Sequence, residues 1–286
     1  MKSSPMLNLA SRTITTDRPA FIMGIVNATP DSFFAGSRGN AEYALKLIDE
    51  GADIIDIGGE STRPGASYCD AEEEIARVVP VIEGIRRASS IPISVDTRKK
   101  KVMEAAFNAG ADIVNDVSAL EDDPSMTDFI AAKKLPVILM HKRGIPLNMQ
   151  QCTAYSDVFN EVSSYLENRA AFAVSKGISE DRIIIDPGVG FGKDLEANKV
   201  LIARCGELCH AKYPVLMALS RKTCIGDMTG CATDGRLYGT LAADILAVLS
   251  GAFMLRVHDV APCRNTLDVI KSFKDSNLLD YCRARN

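Results

Sequence analysis

The chain has 286 residues, of which 47% are hydrophobic and 24% are charged, and its formal net charge is −4 at pH 7. This is ordinary globular composition, with enough length for a large core. The small negative charge gives no reason to expect a nucleic acid or an anionic membrane surface as partner, and no apolar run reaches membrane-spanning length.

The cysteines and the N-terminus bear on the cellular compartment. Eight cysteines are scattered without a C-x-x-C pair, which argues against a zinc knuckle or a thioredoxin-type motif. The N-terminal residues lack the long apolar core of a signal peptide. We therefore expect reduced thiols in a cytoplasmic protein.

The chain begins with two short extended pieces, L-N-L and R-T-I-T, which predict an N-terminal hairpin. Strand-like apolar runs follow at Phe21–Val26, Asp53–Ile57, Ile91–Val95, Asp112–Val114, Pro136–Met140, Arg182–Ile185, Pro214–Met217 and Phe253–Val257. Helix-periodic segments follow these runs at Ala41–Glu50, Ala71–Ala88, Lys99–Ala109, Ser125–Lys133, Asp157–Ser175, Leu195–Cys209, Leu237–Leu249 and Pro262–Phe273.

Glycine punctuates this alternation. Gly51, Gly110 and Gly251 each stand after a predicted helix and before a strand, where a left-handed cap is common. Eight strands alternating with eight helices indicate an α/β fold, a (β/α)8 TIM barrel. A doubly wound open sheet is the alternative. No linker or charge block divides the chain, so residues 1–286 are expected to form one domain.

Polar residues stand where the predicted strands end. They are Asn27, Asp56, Asp96, Asn115, Asp116, His141, Asp186, Ser220, Arg221, Lys222, Arg256 and His258. Any one of them could simply cap the following helix. Because almost every strand ends this way, and the strand ends of a barrel meet at one rim, the pattern favours a shared pocket.

Two stretches indicate what such a pocket binds. In R-I-I-I-D-P-G-V-G-F-G-K, Asp186 ends an apolar strand and three glycines keep side chains away, which suits a small-molecule site. Arg256 and His258 are two residues apart, so they point to the same side of a strand and suit an anion such as a diphosphate. Pairing of Arg256 with a structural acid such as Asp259 is the alternative.

Several stretches together resemble the dihydropteroate synthase family. In chain order from about Gly24 to Val260 they are M-G-I-V-N-A-T-P-D-S-F, D-I-I-D-I-G-G-E-S-T-R-P-G-A, I-S-V-D-T-R, D-I-V-N-D-V-S, L-M-H, I-I-I-D-P-G-V-G-F-G-K, S-R-K and L-R-V-H-D-V. The resemblance implies a barrel enzyme that joins 6-hydroxymethyl-7,8-dihydropterin diphosphate to p-aminobenzoate. It also implies Mg2+ and a homodimer.

The resemblance assigns roles to individual residues. Those implied to hold the pterin are Asp96, Asn115, Asp186 and Lys222. Those implied for the diphosphate are Asn27, Arg63, Arg256 and His258, with Asn27 reaching Mg2+. Those implied for p-aminobenzoate are Thr62, Ser220 and Phe33. The implied catalytic set is Asn27, Arg63, Asp96, Lys222, Arg256 and His258.

The chain departs from the family pattern near the first loop and before S-R-K. Phe34 and Ala35 replace a polar residue and an acid, and Ala218 replaces glycine. Two alternatives therefore stand beside the synthase. One is a related barrel that transfers a methyl group from methyltetrahydrofolate, and the other is a pterin-binding paralogue without activity.

Overall fold

The computed structural model describes residues 4–29, 41–62, 65–151, 153–276 and 278. Strands β1 (Met6–Asn8) and β2 (Thr13–Thr15) form an antiparallel hairpin, as the sequence predicts. The other strands are parallel: β3 (Phe21–Asn27), β4 (Ile54–Gly58), β5 (Ile93–Asp96), β6 (Ile113–Asp116), β7 (Val137–Met140), β8 (Ile183–Asp186), β9 (Leu216–Met217) and β10 (Met254–Val257).

These eight strands close into a barrel. Their order is β8-β7-β6-β5-β4-β3-β10-β9. The two ends of this order meet where the Ile185 amide donates to the Pro214 carbonyl at 2.9 Å, beside a parallel bridge between Ile185 and Val215. The predicted barrel is confirmed, and the open doubly wound sheet is wrong.

Helices follow the barrel strands. They are α1 (Ala41–Asp49), α2 (Ala71–Arg86), α3 (Lys100–Ala109), α4 (Met126–Lys133), α5 (Val158–Ser175), α6 (Leu195–Ala203), α7 (Cys205–Cys209), α8 (Thr223–Thr229), α9 (Leu237–Leu249) and α10 (Val260–Asp275). In the described part of the chain, no helix is both long and apolar enough to cross a bilayer.

Two helices differ from the sequence prediction. The segment expected as one helix, Leu195–Cys209, divides at Arg204 into α6 and α7. Gly206 follows the division and is a poor helix former. Helix α8 was not predicted, because seven residues with a central glycine are too few for a periodic apolar pattern. The glycine caps are confirmed, since Gly51, Gly110 and Gly251 all have φ between 105° and 113°.

The barrel interior is built from alternate strand residues. One buried cluster fills the lumen with side chains that include Phe21, Met23, Ile54, Ile113, Ile138, Ile184, Leu216 and Met254. Their neighbours along the strands pack outward against the helices, among them Ile22, Ile55, Val114, Val137, Ile183 and Leu255. This alternation is the period of two expected of a strand.

The N-terminal hairpin covers the lower end of the lumen. Leu7 and Leu9 are each 2% exposed and belong to the lumen cluster, beside residues that begin the barrel strands. Burial of two leucines favours this docking by roughly 3–6 kcal/mol before entropy is counted. The opposite end, where the strands finish, is left for the polar residues.

Asp244 of α9 gives a stability prediction. It is 2% exposed, and neither carboxylate oxygen has a hydrogen-bond partner among the described residues. Burial raises the pKa of Asp244 to about 8. The folded protein therefore keeps this proton where the unfolded chain has lost it, between about pH 4 and pH 8.

Across that range Asp244 should make the free energy of unfolding fall as pH rises, by at most about 1.4 kcal/mol per pH unit. Denaturant titrations of wild type and Asp244→Asn at several pH values measure this slope. We expect a shallower decline in the variant. Parallel curves would mean that Asp244 ionises normally.

Candidate active site

The strand ends carry a polar layer directly above the apolar lumen. Two residues beyond Ile54, Ile113, Ile184 and Met254 on their strands come Asp56, Asn115, Asp186 and Arg256. The period of two keeps each polar residue on the inward side of its strand. The expected convergence at one rim is confirmed for these strands.

Arg256 joins Asp56 of this layer to Asp96, the last residue of β5. Its Nε donates to Asp56 at 2.6 Å, and its Nη2 donates to Asp96 at 2.9 Å. Nη1 has no hydrogen-bond partner in the part of the chain described. The alternative, in which Arg256 pairs with an acid of the fold, is confirmed as to the pairing, because Arg256 forms ion pairs with Asp56 and Asp96. Asp259 was the wrong example, because it accepts both hydrogen bonds of a fork from Arg221 at 2.8 Å.

Asp56 has a larger part in the site than the sequence indicated. It is fully buried, and Oδ2 accepts from Arg256 and from Asn115 Nδ2 at 3.2 Å. Oδ1 has no partner among the described residues. The strand-end pattern included Asp56. The signal that could have assigned Asp56 to the rim was its position two residues after the inward apolar residue Ile54.

Burial shifts the two other carboxylates toward their protonated forms. It raises the pKa of Asp96 to about 7, with Arg256 opposing and Asp56 reinforcing the shift. Burial also raises the pKa of Asp186, while Lys222 and the Gly188 amide, 2.7 Å from Oδ1, oppose it. Burial therefore disfavours the charged form of both acids, and a nearby donor favours it.

Lys222 stands over the loop that follows β8. Its ammonium contacts the Val189 carbonyl and lies 5.0 Å from the centre of the Phe191 ring. Burial lowers the pKa of Lys222, and Asp186 is the largest charge that opposes this shift. Lys222 and Asp186 are therefore close enough to act on one ligand.

Ser220 and His258 touch each other. The His258 amide donates to Ser220 Oγ at 3.1 Å, and His258 Nδ1 lies 3.0 Å from the same oxygen. This pairing orients the imidazole beside Arg256. The sequence did not show the contact, since the two residues are far apart along the chain.

Two of the remaining predicted residues are described. Asn27 ends β3 on the inward stripe above Met23, and Thr62 follows β4. Arg63 and Phe33 lie outside the described residues, as do Phe34 and Ala35. Their predicted roles stay predictions.

A buried acid anchors the second loop. Glu60 accepts from the Cys69 amide at 3.0 Å, from Arg98 Nε at 2.9 Å and from Lys99 Nζ at 2.6 Å. Lys99 also donates to Glu74 at 2.5 Å. Glu60, Cys69 and Glu74 have the spacing of metal ligands, but the Lys99 ammonium already supplies a cation between the two acids.

Known proteins are similar to this chain in sequence and in fold. The family model of pterin binding enzymes matches residues 23–258. A dihydropteroate synthase of Neisseria meningitidis serogroup C is 45% identical over 271 residues, covering 91% of this chain and 94% of the relative.

Two solved structures of dihydropteroate synthase from Xanthomonas albilineans are similar to this chain in fold. The one with 4-aminobenzoic acid has a TM-score of 0.87 at 45% identity and covers 95% of this chain and 99% of its own. The one in complex with 7,8-dihydropteroate has a TM-score of 0.83 at 42% identity, with the same coverage.

The closed barrel and the family match define the class, a pterin-binding enzyme with the TIM-barrel fold. Within that class, the chain belongs to the dihydropteroate synthases, transferases of folate biosynthesis. The resemblance seen in the motifs is thereby confirmed.

Proposed function

We propose that the chain condenses 6-hydroxymethyl-7,8-dihydropterin diphosphate with p-aminobenzoate through the rim residues described above. The observation that carries the assignment of roles is the inward polar layer of Asp96, Asn115 and Asp186, with Lys222 beside it. The relatives support this reaction, because solved structures of dihydropteroate synthases contain 4-aminobenzoic acid or 7,8-dihydropteroate.

The pterin lies against three side chains of the layer. An aminopyrimidinone edge presents N–H donors, and the carboxylates of Asp96 and Asp186 are acceptors. Asn115 supplies both a donor and an acceptor, and Lys222 donates to ring acceptors. The apolar layer below, with Ile113 and Ile184, gives the flat ring a floor.

The diphosphate meets the cationic side of the rim. Arg256 has Nη1 available for a phosphate oxygen while its other donors hold Asp56 and Asp96. His258, oriented by Ser220, follows the end of β10 two residues after Arg256, and Arg63 would add a third donor. Charged hydrogen bonds of this kind stabilise the leaving group as its bond to carbon breaks.

The donor set at the rim fits Mg2+. Asn27 stands on the inward stripe at the end of β3, and its carboxamide oxygen is a hard neutral ligand. Mg2+ usually takes few protein ligands and fills its shell with water and substrate phosphates. When bound, the ion would offset charge on the departing diphosphate.

The reaction needs no general base on the protein. The departing diphosphate leaves a pterin-methyl cation, which the buried acids of the rim stabilise, and the aniline nitrogen of p-aminobenzoate attacks it. The new C–N bond leaves one excess proton on nitrogen, which passes to the released diphosphate or to water. Thr62, Ser220 and Phe33 are the proposed contacts for p-aminobenzoate. The anchor at Glu60 keeps the base of the second loop in place beside Thr62.

The test is turnover by the purified protein. With both substrates and Mg2+, we expect equal amounts of diphosphate and 7,8-dihydropteroate, and neither product when p-aminobenzoate is omitted. Pterin diphosphate that binds without release of diphosphate would favour the inactive paralogue. Methyl transfer from methyltetrahydrofolate would favour the methyltransferase.

The raised pKa of Asp96 gives a pH prediction. Its carboxylate must be ionised to accept from the pterin, and its pKa in the free protein is about 7. Affinity for 6-hydroxymethylpterin should therefore weaken as pH falls, by about tenfold at one unit below that pKa. Calorimetric titrations from pH 8 to pH 6 measure this. The matched control, Asp96→Asn, should bind weakly with a flatter profile, and a flat wild-type profile would contradict the prediction.

We also propose that residues 1–286 act as one pterin-binding domain, in the cytoplasm and as a homodimer. No disulfide joins the six described cysteines, which agrees with a reducing compartment. On α9, Tyr238 is 81% exposed and Leu246 is 58% exposed, eight residues apart on one face. Sedimentation equilibrium of wild type and Leu246→Glu would test whether this face joins two copies.

A further inference from the structure

The lysine that closes the G-V-G-F-G-K stretch is buried and has no role in the reaction proposed above. Lys193 is 2% exposed. Its Nζ lies 2.9 Å from His141 Nδ1, 2.9 Å from the Gly188 carbonyl and 3.0 Å from the Phe191 carbonyl. In the described part of the chain, no carboxylate forms an ion pair with it.

The partners of Lys193 can use every proton of its ammonium. An ammonium has three N–H donors, and three acceptors lie within 3.0 Å of Nζ, while a fourth, the His141 carbonyl, lies at 3.5 Å. Burial lowers the pKa of His141 to about 3, with Lys193 adding to the shift, and burial lowers the pKa of Lys193 to about 7. The imidazole is therefore neutral, and Nδ1 accepts from Lys193. The His141 ring is held in turn by Tyr165, whose ring centre is 4.9 Å away.

The loop around Lys193 packs directly on the end of β7. Gly188 has φ of 65°, and a Cβ there would lie 1.9 Å from the His141 carbonyl oxygen. Gly192 has φ of 64°, and a Cβ there would lie 2.5 Å from the Arg143 carbonyl oxygen. The glycines allow the loop to approach the end of β7 closely, and the hydrogen bonds of Lys193 stabilise that contact.

The same loop carries the groups that place Lys222. The Val189 carbonyl and the Phe191 ring are its contacts, and both lie between Gly188 and Lys193. We infer that Lys193 is a positioning residue of the pterin site, because its ammonium ties the end of β7 to the loop that sets Lys222. The inference rests on the proposed function, in which Lys222 meets the pterin.

Four variants and a control test the inference. Lys193→Met keeps an unbranched side chain, one heavy atom shorter, and removes all three donors. His141→Leu removes one acceptor, while His141→Asn can retain an acceptor near the position of Nδ1. The double variant Lys193→Met/His141→Leu reports whether the two residues act through one contact. Lys199→Met, an exposed lysine of α6 paired with Glu196, is the matched control.

The readouts are the dissociation constant of 6-hydroxymethylpterin by calorimetry, the KM for p-aminobenzoate at saturating pterin diphosphate, and the thermal midpoint. We expect Lys193→Met and His141→Leu to weaken the pterin by at least about tenfold, the effect of losing one or two buried hydrogen bonds. The KM for p-aminobenzoate should stay within about twofold of wild type. The double variant should bind the pterin no more than about twofold more weakly than the worse of the two single variants. His141→Asn should lie between His141→Leu and wild type.

A purely structural role predicts something else: a lowered thermal midpoint with pterin affinity unchanged in the folded protein. Pterin affinity of folded Lys193→Met within about twofold of wild type would overturn the inference. If Lys193→Met does not fold, the same result for His141→Leu would overturn it. Failure of the wild type to bind 6-hydroxymethylpterin would instead defeat the proposed function itself.

Discussion

Asp186→Asn is expected to abolish measurable pterin binding while the protein stays folded. Asp186 is 4% exposed and ends β8 beside Lys222. The amide can still accept from Gly188 through Oδ1, so the turn after the strand is kept. Its Nδ2, however, would present hydrogens to the pterin donors, and losing two charged hydrogen bonds costs roughly 3–6 kcal/mol of binding free energy.

Calorimetry with 6-hydroxymethylpterin measures the effect, and circular dichroism checks the fold. Asp244→Asn is the matched control, because it makes the same chemical change at a buried aspartate of α9 away from the rim. It should bind the pterin like wild type. Equal affinity in Asp186→Asn would remove Asp186 from the site.

Arg256→Ala is expected to damage both binding and stability. Removal of the guanidinium takes a donor from the diphosphate, which should weaken substrate binding by about 1.5–3 kcal/mol. It also leaves Asp56, which is fully buried, and Asp96 without their shared cation. Breaking such a pair by removing one partner costs roughly 3–5 kcal/mol of unfolding free energy.

Urea titration and the KM for pterin diphosphate separate the two effects. Arg86→Ala serves as a control, since Arg86 pairs with Asp112 at the beginning of β6, at the other end of the barrel. We expect it to lower stability without changing the KM. Unchanged affinity for the diphosphate substrate in folded Arg256→Ala would exclude Arg256 from that role.

Much of the fold was predictable because local patterns and tertiary structure agree. The apolar runs matched the barrel strands closely, and Gly51, Gly110 and Gly251 marked helix ends through their left-handed conformation. Short elements were missed. Helix α8 has seven residues, and a pattern of that length carries too few apolar positions to show a period.

The site was predictable at the level of strand ends and less so at the level of contacts. The polar residues after each strand indicated a common rim, and family motifs supplied their roles. The hydrogen bonds of Arg256 to Asp56 and Asp96 join strands that are distant along the chain. No local pattern specifies such a pair. The sequence could therefore offer only a nearby acid, Asp259, as a partner for Arg256.

The sequence by itself determined the barrel strands, most of the longer helices and the gathering of polar groups where strands finish, because these properties depend on periods of two and 3.6 along the chain. Only the tertiary structure decided which groups touch. Parallel pairing of β9 with β10 brings Ser220 to His258, and pairing of β7 with β8 brings His141 to Lys193, across wide sequence separations. Those contacts depend on strand register and on burial, which set the distances and pKa values from which the site's chemistry follows.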